Sequence, residues 1–286
     1  MYKILEKDEI CPKICRFRIE APKLVAKAQA GQFVILRQHE RGERVPMSIG
    51  GLDKENGVLT VVIQEVGKTS GAMNAMKAGD SFLDVVGPLG IPSHVEKFGR
   101  CICIGGGVGI PPIYPIAQAL KDAGNQVETI IGARTKDLLI YREELTAASH
   151  KLHIATDDGS FGTHGFVTTV LEKLMNDGTP IDFVMAVGPV PMMKAIAATT
   201  REKKIKTWVS LNPIMVDGTG MCGACRVTVG GKTKFACVDG PDFDAHKVDF
   251  DEMTSRLKMY HKQEKVAYDR FLHESKNCAF QAESKS

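Results

Sequence analysis

At 286 residues the chain is long enough for about two compact domains and a small third module, with substantial buried cores. Apolar residues at 43% and charged residues at 25% match soluble globular proteins and exclude a disordered, collagen-like or coiled-coil chain. Thirty-seven basic against 34 acidic side chains leave a net charge of only +3, which gives neither the basic footprint of a nucleic-acid binder nor a polybasic membrane patch.

The first residues, MYKILEKDEICPK, are charged throughout and lack the apolar core of a secretory signal, so a cytoplasmic setting is expected. From 1 to 98, alternating or β-branched runs such as 33–36 and 58–64 are separated by glycine- and asparagine-bearing turns. That rhythm predicts an antiparallel β-barrel or sandwich. Arg44, Pro46, Met47 and Ser48 follow a predicted strand there, and Ile63, Gln64, Glu65, Thr69 and Ser70 come later. An arginine and hydroxyls can clamp a pyrophosphate, and a proline-fixed strand end can offer backbone groups to a planar ring. A purely structural turn accounts for these residues equally well.

From 99 to 211 the pattern changes to short apolar strands at 101–104, 127–131, 152–155, 183–187 and 207–211, interleaved with helical stretches. This alternation predicts an α/β, Rossmann-like parallel sheet with helices on its faces. The uncharged run 101–120 is broken by glycines and prolines, so it is a strand, a loop and a helix, not a membrane span. The loop, GGGVG, supplies Gly105, Gly106, Gly107 and Gly109, and a helix opens at Pro111 and Pro112 and stops at Gly124. A strand, a glycine turn and a helix start in that order bring backbone N–H groups to a phosphate, although a tight turn without ligand needs the same glycines. Two further strand ends carry Asp157 and Gly188, Pro189 and Met192, and all three loops converge at the carboxyl edge of an open sheet. Arg134 follows the second strand, where a 2′-phosphate could be accommodated, leaving NAD and NADP both open.

The segment 212–250 is a glycine- and cysteine-rich module holding Asp217, Cys222, Cys225 and Cys237 in the spacing D-x4-C-x2-C-x11-C. Plant-type 2Fe-2S proteins use C-x4-C-x2-C and a distant cysteine, so this is that frame with a carboxylate first. Zinc is the rival, with His246 as a possible extra ligand, but a structural zinc usually uses two close doublets. Cys11, Cys15, Cys101, Cys103 and Cys278 show no partner spacing and are expected to be inert. The charged stretch 244–264 is expected to form helix and part of a subunit interface. Residues 251–286 form a C-terminal tail, of which 265–286 is expected to be partly helical, then frayed at the end, with no site.

Taken together, R-x-P-M-S, GGGVG and the C-terminal cysteine loop resemble the ferredoxin-NADP reductase superfamily, in the branch of dihydroorotate dehydrogenase electron-transfer subunits. The resemblance spans about 1–249. Asp217 in place of the first cysteine, with CVDGPDFDAHKVDF at 237–250, is similar to the electron-bifurcating members of that branch. The resemblance implies FAD at Arg44 to Ser48, Ile63 to Glu65 and Thr69 to Ser70, NAD(H) at Gly105 to Gly109 and Gly188 to Met192, and a 2Fe-2S cluster on Asp217, Cys222, Cys225 and Cys237. It further implies hydride exchange between NAD(H) and FAD, single-electron relay to a larger flavo-iron-sulfur subunit, and indirect service to ferredoxin and NADP(H). Met47 stands where the superfamily places an aromatic beside the ring, and Arg44 lies one residue further from Ser48 than in the usual motif. Two alternatives stay open: the dihydroorotate dehydrogenase subunit itself, against which Asp217 speaks, and a zinc-stabilised nucleotide-binding regulatory module.

Overall fold

The computed structural model describes the backbone of residues 1–283 and the side chains of residues 1–274. Its first part comprises β1 (Tyr2–Cys11), β2 (Ile14–Glu20), α1 (Pro22–Val25), β3 (Phe33–Arg37), β4 (Val45–Ser48), β5 (Gly51–Asp53), β6 (Val58–Gln64), α2 (Lys68–Asn74), β7 (Ser81–Phe82) and β8 (Asp84–Leu89). These strands pair antiparallel in a five-stranded sheet, β5-β6-β2-β1-β7, and a three-stranded sheet, β4-β3-β8. Alternation along β2 and β6 turns Phe17, Ile19, Leu59, Val61 and Ile63 inward, against Ile4, Val34, Leu36 and Phe82. Each such side chain withdrawn from water stabilises the fold by roughly 1.5–3 kcal/mol.

The second part runs β9 (Arg100–Gly106), α3 (Ile110–Asp122), β10 (Gln126–Ala133), α4 (Arg142–Ala148), β11 (Lys151–Thr156), β12 (Thr163–His164), α5 (Val167–Met175), β13 (Phe183–Val187), α6 (Val190–Arg201) and β14 (Lys206–Ser210). These strands are parallel, in the order β12-β11-β10-β9-β13-β14. All seven residues of β9 are buried because helices cover both faces of the sheet, which explains its unbroken apolar sequence. The chain leaves β9 towards β10 and β13 towards β14, in opposite directions. The carboxyl ends of β9 and β13 therefore flank the crevice where such sheets take ligands.

The last part holds β15 (Arg226–Val229), β16 (Lys232–Phe235), α7 (Ala236–Asp239), β17 (Asp242–Asp244), α8 (Phe250–Leu257) and α9 (His261–Glu283). β17 joins the parallel sheet antiparallel to β14, so the cysteine-rich region completes that sheet. Cys225, Val227, Phe243 and Phe250 share one core with Val184, Ala186 and Val209.

The stretch 244–264 departs from a single helix. It leaves β17, turns, and starts α8 where the Asp249 carboxylate accepts N–H bonds from Asp251 and Glu252 at 3.1 and 2.9 Å, an N-cap. The tail is helical as expected, and the helix runs on as α9 through Glu283 and packs on α2. Residues 284–286 and the side chain of Cys278 lie outside the described residues. Among the described residues no helix is long and apolar enough to cross a membrane.

Candidate functional site

At the carboxyl end of β9, Gly105 and Gly106 finish the strand and Gly107 to Gly109 form a single helical turn into α3. A Cβ on Gly109 would run into the Val187 carbonyl and stand 2.7 Å from Gly188 Cα. One on Gly106 would strike the Met192 sulfur, and one on Gly188 would stand 2.5 Å from Met192 Cε. These glycines are needed because the loops after β9 and β13 pack on each other under Met192. Gly107 is different: its φ is +55° and nothing lies within 4 Å of its Cβ position. It presents open backbone to the crevice, as a close-approaching pyrophosphate requires.

Pro189 caps α6 from an extended conformation, with Val190 opening the helix beside the same crevice. Arg134 and Asp157, both exposed, stand at neighbouring strand ends, knit by Asp157 N–H to Ala133 O at 3.1 Å and Asp158 N–H to Arg134 O at 3.2 Å.

The candidate flavin residues sort by what they leave available. Arg44, Ser48 and Gln64 are exposed, while Pro46 and Met47 are half-buried on β4, opposite Ile35 and Val34. Ile63 is fully buried in the core of the first part, so only its backbone could meet a ligand. Ser70 is also used internally: its hydroxyl accepts N–H bonds from Val66 and Gly67 at 2.9 and 3.0 Å. The Thr69 hydroxyl donates to Glu43, joining the loop before β4 to the start of α2. Glu65 accepts a hydrogen bond from Tyr268 at 2.5 Å.

This segment adjoins the nucleotide crevice. The Gly107–Gly109 turn touches β6, and a Cβ on Gly50 would stand 3.3 Å from Pro111 Cβ and 3.4 Å from the Tyr141 hydroxyl.

In the cysteine-rich loop the donors stand as two pairs. Cys225 and Cys237 lie at the open end of the β15–β16 hairpin, just outside the register pair Arg226–Phe235, with sulfurs 3.2 Å apart. The Asp217 carboxylate accepts N–H bonds from Thr219 at 3.0 Å and Cys222 at 3.1 Å. Those backbone donors hold its carboxyl below the usual carboxylate range. Burial, reinforced by Cys225, pushes the Cys237 thiol up, so it is protonated until a metal takes the proton's place.

Two donor pairs suit a group with two metal atoms, each needing two protein ligands. Gly218, Gly220 and Gly223 all have positive φ, letting the loop curl between the pairs. Among the described residues, no three His, Cys, Asp or Glu side chains gather as a single-ion site. Gly218 also sets the loop on the three-stranded sheet, since a Cβ there would stand 2.9 Å from Leu89 and 3.0 Å from Ile35.

Cys11, Cys15, Cys101 and Cys103 are buried, and burial raises the Cys101 thiol to about 12, which keeps it unreactive. Two features carried no sequence signal. Tyr268 sits in a tail expected to be without a site, and Asp242 is buried at the junction of β17, β14 and the 90–93 segment. Ser93 donates to Asp242 Oδ2 at 2.5 Å, while Oδ1 has no partner among the described residues.

A family model for the iron-sulfur cluster binding domain of dihydroorotate dehydrogenase B matches residues 212–249, and one for the oxidoreductase NAD-binding domain matches 103–198. A Thermotoga maritima protein, described as a dihydroorotate dehydrogenase B (NAD(+)) electron transfer subunit homolog, is 50% identical over 270 residues, 94% of this chain and 95% of its own. The electron transfer subunit of that enzyme from Bacillus caldolyticus is 36% identical over 229 residues, 77% of this chain and 86% of its own. Among solved structures, one of the NADH-dependent reduced ferredoxin-NADP oxidoreductase, studied for flavin-based electron bifurcation, superposes with a TM-score of 0.91 at 48% identity. It covers 95% of this chain and 98% of its own. A ferredoxin NADP+ reductase from Neisseria gonorrhoeae, solved with FAD and NADP, shares the fold at a TM-score of 0.59 and 21% identity, covering 70% and 89%.

Proposed function

The chain belongs to the dihydroorotate dehydrogenase B electron transfer subunit family, and we propose on that premise how its oxidoreductase function is distributed over its residues. We assign 1–98 to FAD, 99–211 to NAD(H), 212–250 to a 2Fe-2S cluster, and 251–286 to a C-terminal extension. The observation that carries this reading is convergence on the antiparallel sheets: the Gly107 turn touches β6, and the Gly218 loop rests on β3 and β8. When bound, the flavin exchanges electron pairs with the nicotinamide, and the cluster carries them singly.

Around those groups the chain's own residues bind and orient. Gly107 offers backbone to the nucleotide pyrophosphate, and Arg134 and Asp157 receive the far ribose. Arg44 and Ser48 hold the flavin diphosphate, with the Thr69 backbone beside them because its hydroxyl is taken by Glu43, and Pro46 and Met47 shape the ring side. Asp217 with Cys222, and Cys225 with Cys237, hold one metal atom each. No acid-base pair is required of the protein, because hydride exchange depends on alignment of the two rings.

Electrons leave to a larger flavo-iron-sulfur subunit, with ferredoxin and NADP(H) served indirectly; the likeness to electron transfer subunits and to the NADH-dependent reduced ferredoxin-NADP oxidoreductase supports this reading. The stretch 244–264 is assigned to part of that interface. Cytoplasmic, reducing conditions keep the thiol ligands available. An anaerobic visible spectrum with iron and zinc analysis, before and after NADH, tests the assignment. Flavin bands with about two irons per chain, bleached by NADH, support it; zinc without flavin overturns it.

A further inference from the structure

Of the described side chains in α9, only Ala267, Tyr268, Phe271 and Leu272 are even partly covered, a single stripe on an otherwise exposed helix. That stripe meets the segment assigned to the flavin. The Tyr268 hydroxyl donates to Glu65 Oε1 at 2.5 Å, and Lys13 Nζ lies 3.6 Å from the same oxygen. Glu65 in turn donates its backbone N–H to Lys13 O at 2.8 Å. One turn further along α9, Phe271 lies beside the Tyr268 ring, 6.4 Å between centroids at 16°, and against α2. There Gly71 makes room: a Cβ would stand 2.8 Å from Phe271 Cε1.

The two aromatic contacts bracket residues 65–71. Between them lie Val66, which is 73% exposed, and Thr69 and Ser70, whose hydroxyls are committed to Glu43 and to the local turn. The backbone at the start of this loop is held by the Glu65 N–H bond to Lys13 O and the Val66 N–H bond to Ser70, and the Glu65 side chain is held by Tyr268 and Lys13. A hydroxyl donating to a carboxylate is among the stronger and more directional of neutral-donor bonds.

We propose that Tyr268 is a positioning residue for the flavin-binding segment, acting through Glu65, with Phe271 seating α9 so that the hydroxyl reaches it. The inference rests on the assignment of Gln64, Glu65, Thr69 and Ser70 to the flavin. It makes α9 part of the flavin-binding machinery, so that flavin affinity depends on a helix that follows the cluster module in sequence.

The test is a double-mutant cycle on the full chain, with the FAD dissociation constant read by quenching of flavin fluorescence and the bound-flavin absorption spectrum recorded alongside. Tyr268→Phe keeps the ring beside Phe271 and removes only the hydroxyl; it is expected to weaken FAD binding about tenfold and to shift the flavin bands. Glu65→Gln, which still accepts from Tyr268, retains most of the affinity. Glu65→Leu loses it, and adding Tyr268→Phe to Glu65→Leu changes it by less than about twofold.

If Tyr268→Phe weakens FAD equally in both backgrounds, the tyrosine only props the helix and the proposal fails. If it has no effect while Arg44→Ala and Ser48→Ala weaken FAD, the proposal fails and the flavin assignment stands. If none of these variants alters FAD binding, both fail.

Discussion

The sulfurs of Cys225 and Cys237 stand 3.2 Å apart although 12 positions separate them, because the β15–β16 hairpin folds the chain back on itself just beyond them. Asp217 and Cys222 form the second pair through a backbone bond. Replacing Asp217 by Ala removes one donor from its pair, whereas Asp217→Cys restores the four-thiolate frame. Bound iron should fall well below about two per chain in Asp217→Ala and Cys237→Ala, and stay near two in Asp217→Cys, by metal analysis of anaerobic preparations. Equal iron in Asp217→Ala and the unmodified chain would remove Asp217 from the ligand set.

Gly107 and Gly109 separate binding from packing. Gly109→Ala forces a methyl into the Val187 carbonyl and should lower the melting temperature by several degrees through overpacking of about 1–3 kcal/mol. A Cβ at Gly107 meets nothing within 4 Å, so Gly107→Val is opposed chiefly by the strain of a left-handed backbone, about 1–2 kcal/mol. It should nevertheless weaken NADH binding at least about tenfold, by placing bulk where the pyrophosphate approaches. Calorimetric titration and thermal melts on the two variants check the split; intact NADH affinity in Gly107→Val would move the nucleotide elsewhere.

Arg100 anchors the opening of β9. It donates to Glu128 at 2.8 Å and to Asp177 at 2.7 Å, with Arg100 and Glu128 each 6% exposed. Arg100→Ala leaves the Glu128 carboxylate buried with only His153 beside it, 2.7 Å away, and should cost about 3–5 kcal/mol in urea unfolding. A loss below about 1 kcal/mol would show that water reaches the site.

Two buried carboxyls give acid stability opposite signs. Burial raises Asp242 to about 6 despite the bond from Ser93. Its folded state binds a proton that the unfolded state has already lost, so this group costs stability as pH rises from about 4 to about 6, by about 3 kcal/mol in all. For Glu128, burial alone would raise its value, but His153 and Arg100 outweigh that and lower it. Its contribution is present above the ordinary carboxylate range and disappears on acidification. Asp242→Asn should therefore gain on the unmodified chain between pH 4 and 6, and Glu128→Gln should flatten the loss below it. Chemical melts across that range read both; parallel curves for Asp242→Asn and the unmodified chain would refute the first.

The parallel strands were legible because burial on both faces leaves an unbroken apolar run, as at Phe183–Val187, which coincides with its sequence expectation. β1 was obscure for the converse reason: over Tyr2–Cys11 only Ile4 and Cys11 are buried, and two register shifts interrupt any alternation. The metal-ligand spacing was plain because it is local. Tyr268 was not, since its partner lies 203 positions away and nothing in KVAYDRF says what a helix face will meet. Asp242 looks like any loop aspartate until β17 is added to the sheet.

That addition makes the cysteine-rich region something other than a detachable cassette. β17 occupies the rim of the sheet beside β14, satisfying main-chain groups that would otherwise be open to pairing with a stranger, and Phe243 and Phe250 seal the apolar surface beneath. A chain stopped at Leu211 would present a raw strand edge and should self-associate. Loss of the metal-binding region is therefore a colloidal problem before it is a redox one, and a reductase without it must guard the same rim by other means.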